Sequence, residues 1–310
     1  MMIKTRISPG QLVTWGKRLG VAMSPLSPFA VWSEEAGDVL EESEPGLQPV
    51  LKELAQAKGF VQVRFSNSPE LFEHTVYFSA CNIEGVSLTA LGKEVLLEAP
   101  APIRELLDSL GRNMGKSTLI GQRFHCQVSP LAGVLFCCLL DEQRRQFWAA
   151  MGGDGERVAV ACDLLAFAAQ KPQLQQSLAA LMADTAELNW PFSQEESERA
   201  AQELVGKGLL LHEAGQYRLS EGALRLAGRF LALEGILHVS AGYTPEDDAL
   251  IVSGTSYVQA GVRDILCLEA SDSEAVITTV SAQSVLDHMQ QTLAGASGLR
   301  EPDPSWRHRG

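Results

Sequence analysis

The chain has 310 residues, of which 45% are hydrophobic and 20% are charged. Those proportions are typical of a folded globular protein and exclude an intrinsically disordered chain. Its 38 acidic residues outnumber its 25 lysines and arginines, which gives a formal net charge of −13. Because a negative field repels polyanions, the composition disfavours binding to nucleic acid or to anionic lipid. The length predicts two domains, or one large domain with an additional segment.

The cysteines and the hydropathy pattern point to an intracellular protein without a metal site. None of the cysteines forms a CxxC pair or lies at a metal-ligand spacing from a histidine, so we predict no zinc and no cofactor. No signal-peptide pattern and no apolar run of about 18 residues is present, so we predict a cytoplasmic protein without membrane contact. We interpret the six cysteines as reduced core thiols: Cys81, Cys126, Cys137, Cys138, Cys162 and Cys267.

The first predicted elements are helices. Ser8 is a favourable N-cap residue, Pro9 suits the first helical turn, and Gly20 can end the helix in a left-handed conformation. An acidic run from Glu34 to Glu44 follows, which we interpret as solvated surface. Apolar residues at helical spacing then predict a second helix from Leu47 to near Gly59.

From residue 60 the hydrophobic period changes to two. The alternation in Val61–Phe65 and Phe72–Phe78 predicts a β-hairpin that turns at residues 67–69. Residues 86–97 fit either a second hairpin around Gly92 or a helix, and the sequence leaves both open.

Residues 102–148 give three more predictions. Helical spacing predicts a helix from Pro102 to Leu110 that Gly111 ends, and alternation predicts a strand over Arg123–Val128. The continuous apolar run Val134–Leu140 predicts a buried strand, after which Asp141 would cap a helix through residue 148.

Residues 111–118, with the sequence GRNMGKST, resemble a phosphate-binding loop superficially. That motif needs four residues between its glycines, a strand before it and a helix after it. Here only three residues separate Gly111 from Gly115, a helix is predicted before the segment, and a strand is predicted after it. We therefore predict a helix-terminating loop. The histidines are isolated and no nucleophile elbow or HExxH motif is present, so we predict no catalytic residue and no enzymatic activity.

The segment Ser193–Ala232 has a more specific order of elements. A capping-box pattern opens a helix, a short hairpin turns at Gly215, and a second helix follows. This order resembles the closing half of a winged-helix module, which implies binding to DNA or to protein. DNA binding would use Arg225 and Arg229, whereas the acidic side chains of the helix before the hairpin favour protein contacts.

The C-terminal part completes an α+β fold. Four strands and a final helix are predicted, so we expect two mixed β-sheet halves separated by a helical, partly winged-helix-like central segment. We divide the chain into residues 1–140, 141–235 and 236–295, with a loose tail over 296–310.

The layout as a whole resembles the EspG-type chaperones of type VII secretion. The shared pattern is an N-terminal helix with a Pro-containing loop, a β-meander with a short helix, a helical middle, and a second β-meander with a final helix. The resemblance implies a non-enzymatic cytosolic protein that binds a helical hydrophobic tip of secreted clients.

We therefore predict a cytosolic adaptor or chaperone that binds another protein. The alternative is a winged-helix DNA-binding transcriptional regulator. Trp32, Trp190 and Phe192 lie in predicted loops and linkers, and they are the candidate partner contacts because aromatic side chains contribute strongly to interfaces. Each of these rings is equally suited to pack inward.

Overall fold

The computed structural model describes residues 2–31, 45–67, 70–79, 82–151, 159–172, 177–244, 251–261 and 263–298. They form an α+β protein, which confirms the predicted fold class. Trp32, the acidic run and nearly all of the tail lie outside the described residues. The chain divides into a first compact unit (Met1–Asn113, His238–Ser253 and Leu286–Arg309) and a second (Met114–Leu237 and Gly254–Val285, with Gly310). The sequential division at residues 140, 235 and 295 stays a prediction.

The sheet of the first unit is built mainly from local antiparallel pairs. The strands are β1 (Ile3–Ile7), β2 (Ala57–Asn67), β3 (Glu70–Ser79), β4 (Asn82–Leu91), β5 (Glu94–Ala99) and β9 (Gly235–Tyr243). Each strand from β2 to β5 pairs with its neighbour in sequence, and β1 pairs with β5. The strand order is β1-β5-β4-β3-β2, and β9 follows β2.

This sheet contains both hairpins that the sequence suggested. The predicted hairpin is β2–β3, with Val61 opposite Val76, so that prediction is confirmed. The alternative left open for residues 86–97 is resolved as a hairpin, because β4 and β5 pair around Gly92, whose φ is +65°. A positive φ costs glycine little, which explains the residue at this turn.

Several helices belong to this unit, and α3 (Gln48–Ala55) packs against its sheet. The N-terminal helix has the predicted Ser8 cap, and Gln11 completes a capping box with it. Leu51 and Leu54 of α3 pack with Leu88 and Leu97 of the sheet in one buried cluster. The predicted helix end near Gly59 is wrong, because α3 ends at Ala55 and the chain enters β2 at Ala57. The helices are α1 (Pro9–Arg18), α2 (Pro28–Val31), α3 (Gln48–Ala55), α4 (Ile103–Met114) and α10 (Ala282–Ala296).

The second unit combines an antiparallel sheet with a group of helices. The strands are β6 (His125–Val128), β7 (Leu210–Glu213), β8 (Gln216–Leu219), β10 (Ile251–Gln259), β11 (Ile265–Ala270) and β12 (Ala275–Val280). The sheet has the order β10-β11-β12-β6, and β7 pairs with β8 in a separate hairpin. The helices are α5 (Pro130–Met151), α6 (Leu164–Ala169), α7 (Leu178–Thr185), α8 (Gln194–Gly206) and α9 (Glu221–Arg229).

The centre of the second unit is a helix where the sequence predicts a buried strand. Val134–Leu140 is part of α5, a continuous helix of 22 residues, and is not a strand. Helices α7, α8 and α9 and strand β12 all contact α5. A helix surrounded in this way is apolar on every side, so it lacks the one-sided period that identifies surface helices. Asp141 therefore lies inside a helix and does not begin one.

The segment that resembles a phosphate-binding loop begins inside a helix. Helix α4 continues through Gly111 to Met114, so the prediction that Gly111 ends it is wrong, and Gly115 takes the left-handed φ of +86° instead. The strand predicted over Arg123–Val128 begins at His125. A helix before the glycine loop and a strand after it is the reverse of the P-loop order.

Candidate partner-binding surface

The structure brings two of the predicted partner contacts together in an aromatic cluster. The ring centroids of Trp190 and Phe192 are 4.3 Å apart, and both rings contact Phe167 of α6. The indole nitrogen of Trp190 donates to the carbonyl of Phe167 at 3.1 Å, and the backbone nitrogen of Phe192 donates to that of Ala168 at 2.9 Å. Both side chains are half-buried, so they attach the segment before α8 to α6.

The two arginines of the DNA-binding alternative each have a carboxylate partner. Arg225 forms an ion pair with Glu221 on α9, with a nitrogen–oxygen distance of 2.7 Å. Arg229 binds Asp264 through two hydrogen bonds of 2.7 and 2.9 Å, and this partner raises the pKa of Arg229. Positive charge that is already paired contributes less to phosphate binding.

The acidic helix before the hairpin also contains structural carboxylates. Glu196 forms the predicted capping box with Ser193, and the hydrogen bond from the Ser193 backbone lowers the pKa of Glu196. Glu203 accepts hydrogen bonds from Ser129, at the start of α5. The acidity of α8 therefore reflects helix capping as well as surface charge.

An exposed aromatic surface lies at the end of α5, where no partner contact had been predicted. Trp148 is 51% exposed and Met151 is 64% exposed, and they lie one turn apart on the helix. Phe147 is half-buried, and its ring lies close to Gly228 of α9. The indole nitrogen of Trp148 donates to the carbonyl of Leu231 at 3.0 Å. We call Phe147, Trp148, Met151 and Leu231 the α5–α9 patch.

A buried polar network holds the base of this patch in place. Arg144 donates to Asp141 at 2.5 Å and to the carbonyl of Leu231 at 3.4 Å. The second carboxylate oxygen of Asp141 accepts from the backbone nitrogen of Ala179, at the start of α7, at 3.0 Å. Burial raises the pKa of Asp141, although Ala179 and Arg144 oppose the shift. The network links α5, α7 and the residues after α9, so the backbone under Trp148 is fixed.

One signal in the sequence could have located this patch. The apolar run of α5 gives way after Leu140 to a mostly polar stretch that contains Arg144 and Arg145, which marks the point where the helix leaves the core. A tryptophan within a polar stretch is a stronger candidate for exposure than one in a short linker. The sequence analysis places Trp148 at the end of a predicted helix and takes its candidate partner contacts from loops and linkers, so it does not include this patch.

The reactive side chains that are described are mostly buried. Burial raises the pKa of Cys126 and that of Cys162 to about 12, and it also raises those of Cys137 and Cys138, so these thiols are protonated near neutral pH. Burial lowers the pKa of His74 to about 4. Within the described ranges no group of three or more His, Cys, Asp or Glu could hold a metal ion. None of the helices in the described part is long and apolar enough to cross a membrane.

Comparison with known proteins gives a weak structural likeness. No protein-family model matches the chain, and no curated protein is significantly similar to it in sequence. It is similar to a chain in the structure of the Mycobacterium tuberculosis type VII secretion system chaperone EspG5 in complex with the PE25-PPE41 dimer. The TM-score is 0.46 and the identity is 12%, over 95% of this chain and 96% of that chain. The likeness is one of layout and does not assign the chain to a family.

Proposed function

We propose that the protein is a non-enzymatic cytosolic adaptor or chaperone that binds another protein through the α5–α9 patch. The observation behind this proposal is that Trp148 is half-exposed while its indole nitrogen is bonded to Leu231. A ring held in place before binding loses little conformational freedom at an interface. Tryptophan is also among the residues that contribute most to protein–protein affinity.

The charges and the buried thiols support the same function. A chain with a formal net charge of −13 repels nucleic acid, and both arginines suggested for DNA contact are already paired with carboxylates. Cys126, Cys137, Cys138 and Cys162 have raised pKa values and are poor nucleophiles near neutral pH. An exposed apolar surface needs only a complementary protein surface.

Trp32, Trp190 and Phe192 remain secondary candidates for partner contact. The cluster formed by Trp190 and Phe192 lies in the same unit as the α5–α9 patch, and its rings are partly accessible. Its hydrogen bonds to α6 favour a structural role, so we place Trp148 before it. Trp32 lies outside the described residues and is tested by substitution alone.

The test is affinity capture from native cytosol, with and without nuclease, followed by identification of stoichiometric partners. Met151→Glu introduces a charge at an exposed position without removing a described hydrogen bond, and Trp148→Ala removes the ring. Leu91→Ser is the matched control, because Leu91 is also an exposed apolar residue, 40% accessible, but belongs to the first unit. We expect a nuclease-resistant partner that the two patch variants lose and the control retains.

The same preparations test the alternative and the absence of enzymatic activity. Salt-sensitive binding to duplex DNA that is lost in Arg225→Ala plus Arg229→Ala would replace our proposal with the DNA-binding regulator. Calorimetry with ATP tests the loop at Lys116, and a micromolar signal abolished by Lys116→Ala would show a nucleotide-dependent function.

A further inference from the structure

Three arginines come from backbone segments that meet around Gly121, next to the last turn of α9. The backbone nitrogen of Gly121 donates to the carbonyl of Arg263 at 2.8 Å, which joins the loop after α4 to the turn before β11. A Cβ atom on Gly121 would lie 2.1 Å from a guanidinium nitrogen of Arg229 and 2.2 Å from a carboxylate oxygen of Asp264. Arg123 follows Gly121 by two residues. We call Arg123, Arg229 and Arg263 the arginine cluster.

The cluster has an excess of positive charge in a strongly acidic protein. Arg123 and Arg263 are exposed, and within the described part of the chain neither forms an ion pair. Asp264 is engaged by Arg229. The sequence contains no aspartate or glutamate in residues 109–140, 222–233 or 251–263, the stretches from which the three arginines come.

The last turn of α9 joins the arginine cluster to the apolar patch. Gly228 faces the ring of Phe147, Arg229 binds Asp264, and Leu231 accepts the hydrogen bond of Trp148. The apolar contact surface and the guanidinium group of Arg229 are therefore separated by only one or two residues along the same backbone. All of these residues belong to the second unit.

We propose that the partner contributes an acidic, apolar peptide segment to this surface, with apolar side chains on the α5–α9 patch and carboxylates on the arginine cluster. The inference rests on the proposed function and specifies the chemistry of the partner. Guanidinium groups bind carboxylates through paired, charge-assisted hydrogen bonds, and arginine is enriched at interfaces. The contact with Asp264 shows this geometry within the chain itself.

An acidic peptide suits this surface better than nucleic acid does. Duplex DNA presents one charge per roughly 1.7 Å along its axis, so most of its charges would face an acidic protein surface. A peptide presents a few carboxylates where the arginines are and can leave the remaining surface uncharged. Its apolar side chains also match Trp148 and Met151, for which a phosphate backbone has no counterpart.

The test is fluorescence anisotropy of the full chain with labelled peptides of equal length at low and high salt. One peptide alternates leucine with glutamate, a second leucine with glutamine, a third leucine with lysine, and a fourth serine with glutamate; a short DNA duplex is the fifth probe. We expect the leucine–glutamate peptide to bind most tightly and to weaken as salt increases, because salt screens exposed charges.

Arg123→Glu combined with Arg263→Glu should weaken this peptide at least about ten-fold, since charge-assisted hydrogen bonds contribute more than neutral ones. Arg225→Glu is the matched control, because Arg225 is also an exposed arginine but pairs with Glu221 on α9, and it should leave the affinity unchanged. Thermal unfolding by circular dichroism checks that each variant is folded.

The remaining outcomes separate this inference from the proposed function. Equal binding of the glutamine and glutamate peptides, with both lost in Met151→Glu, overturns the acidic preference and leaves the proposed function in place. The inference is overturned if the protein prefers the lysine peptide or the duplex. It is also overturned if Arg225→Glu weakens binding as much as the double variant does. The inference is also overturned if no probe binds while partner capture still depends on Trp148.

Discussion

Glu203 of α8 accepts two hydrogen bonds from Ser129, one from its backbone nitrogen at 2.8 Å and one from its hydroxyl at 2.6 Å. Ser129 lies immediately before α5, and its hydroxyl oxygen accepts a hydrogen bond of 3.4 Å from the backbone nitrogen of Ala132. The start of the central helix is therefore fixed by a carboxylate 74 residues away in sequence.

Replacing Glu203 with alanine should destabilise the second unit. The substitution leaves Ser129 without its carboxylate partner, and a lost capping or charge-assisted hydrogen bond costs about 1–2 kcal/mol. Urea unfolding followed by circular dichroism measures the change. Glu198→Ala is the control, because Glu198 lies on the same helix and bonds only Gln194 among the described contacts. Equal stability losses in the two variants would contradict a capping role for Glu203.

Gly133→Ala should destabilise the protein despite the higher helix propensity of alanine. A Cβ atom at Gly133 would lie 2.7 Å from the Cβ atom of Ala275, so α5 would have to move away from β12. Crowding of this kind typically costs about 1–3 kcal/mol. Gly206→Ala is the control, because nothing lies within 4 Å of a Cβ atom there.

The comparison is made by urea unfolding of both variants. Gly206→Ala should be neutral or gain up to about 1 kcal/mol from helix propensity and reduced freedom of the unfolded chain. A stabilised Gly133→Ala variant would show that the contact between α5 and β12 adjusts without cost.

The elements that the sequence predicts correctly depend on local signals. The capping pattern at Ser8 and the alternation in Val61–Phe65 concern residues that are neighbours in the chain, so both elements could be found without tertiary information. Strand β1 has no such signal, because it pairs with β5 about ninety residues later. The strand predicted over the apolar run of α5 is wrong because central helices and buried strands share the same composition.

The candidate site is also only partly predictable from the sequence. Aromatic residues in linkers can be listed from the sequence, but whether a ring is exposed depends on elements far away in the chain. Trp190 bonds Phe167 and is half-buried, whereas Trp148 is oriented by Leu231, 83 residues later, and stays exposed. The ion pair between Arg229 and Asp264 could not be predicted from the sequence either, because 35 residues separate the two side chains in the chain. Exposure and charge pairing are tertiary properties.

The buried His74 should make the first unit sensitive to acid. Its Nδ1 shares a hydrogen bond of 2.6 Å with the hydroxyl of Thr89, and burial lowers its pKa to about 4, with Glu98 opposing the shift. The unfolded chain binds the proton near pH 6.5 and the folded chain only near pH 4. Stability is therefore fully present above pH 6.5 and falls by up to about 3 kcal/mol as the pH decreases through this window.

The pH dependence is measured by urea unfolding at pH 7 and pH 4.5 for the wild type and two variants. His74→Gln removes the titrating group and should lose less stability between the two pH values than the wild type does. His125→Gln is the control at an exposed position, and it should follow the wild type. If the His74→Gln variant loses as much as the wild type, the acid sensitivity comes from other groups.

Alanine substitutions of the two tryptophans of the second unit should show that one ring supports stability and the other supports partner binding. Trp190→Ala removes a ring packed against Phe167 and Phe192 and a hydrogen bond to the Phe167 carbonyl, so it should cost about 3 kcal/mol. Trp148→Ala removes a half-exposed ring and one hydrogen bond to Leu231, so it should cost about 1 kcal/mol. Urea unfolding gives both values, and partner capture is measured on the same preparations under conditions where both variants are folded.

We expect Trp148→Ala to lose the partner and Trp190→Ala to retain it. The opposite pattern would move the binding surface to the aromatic cluster that contains Trp190 and Phe192, the two partner contacts predicted from the sequence.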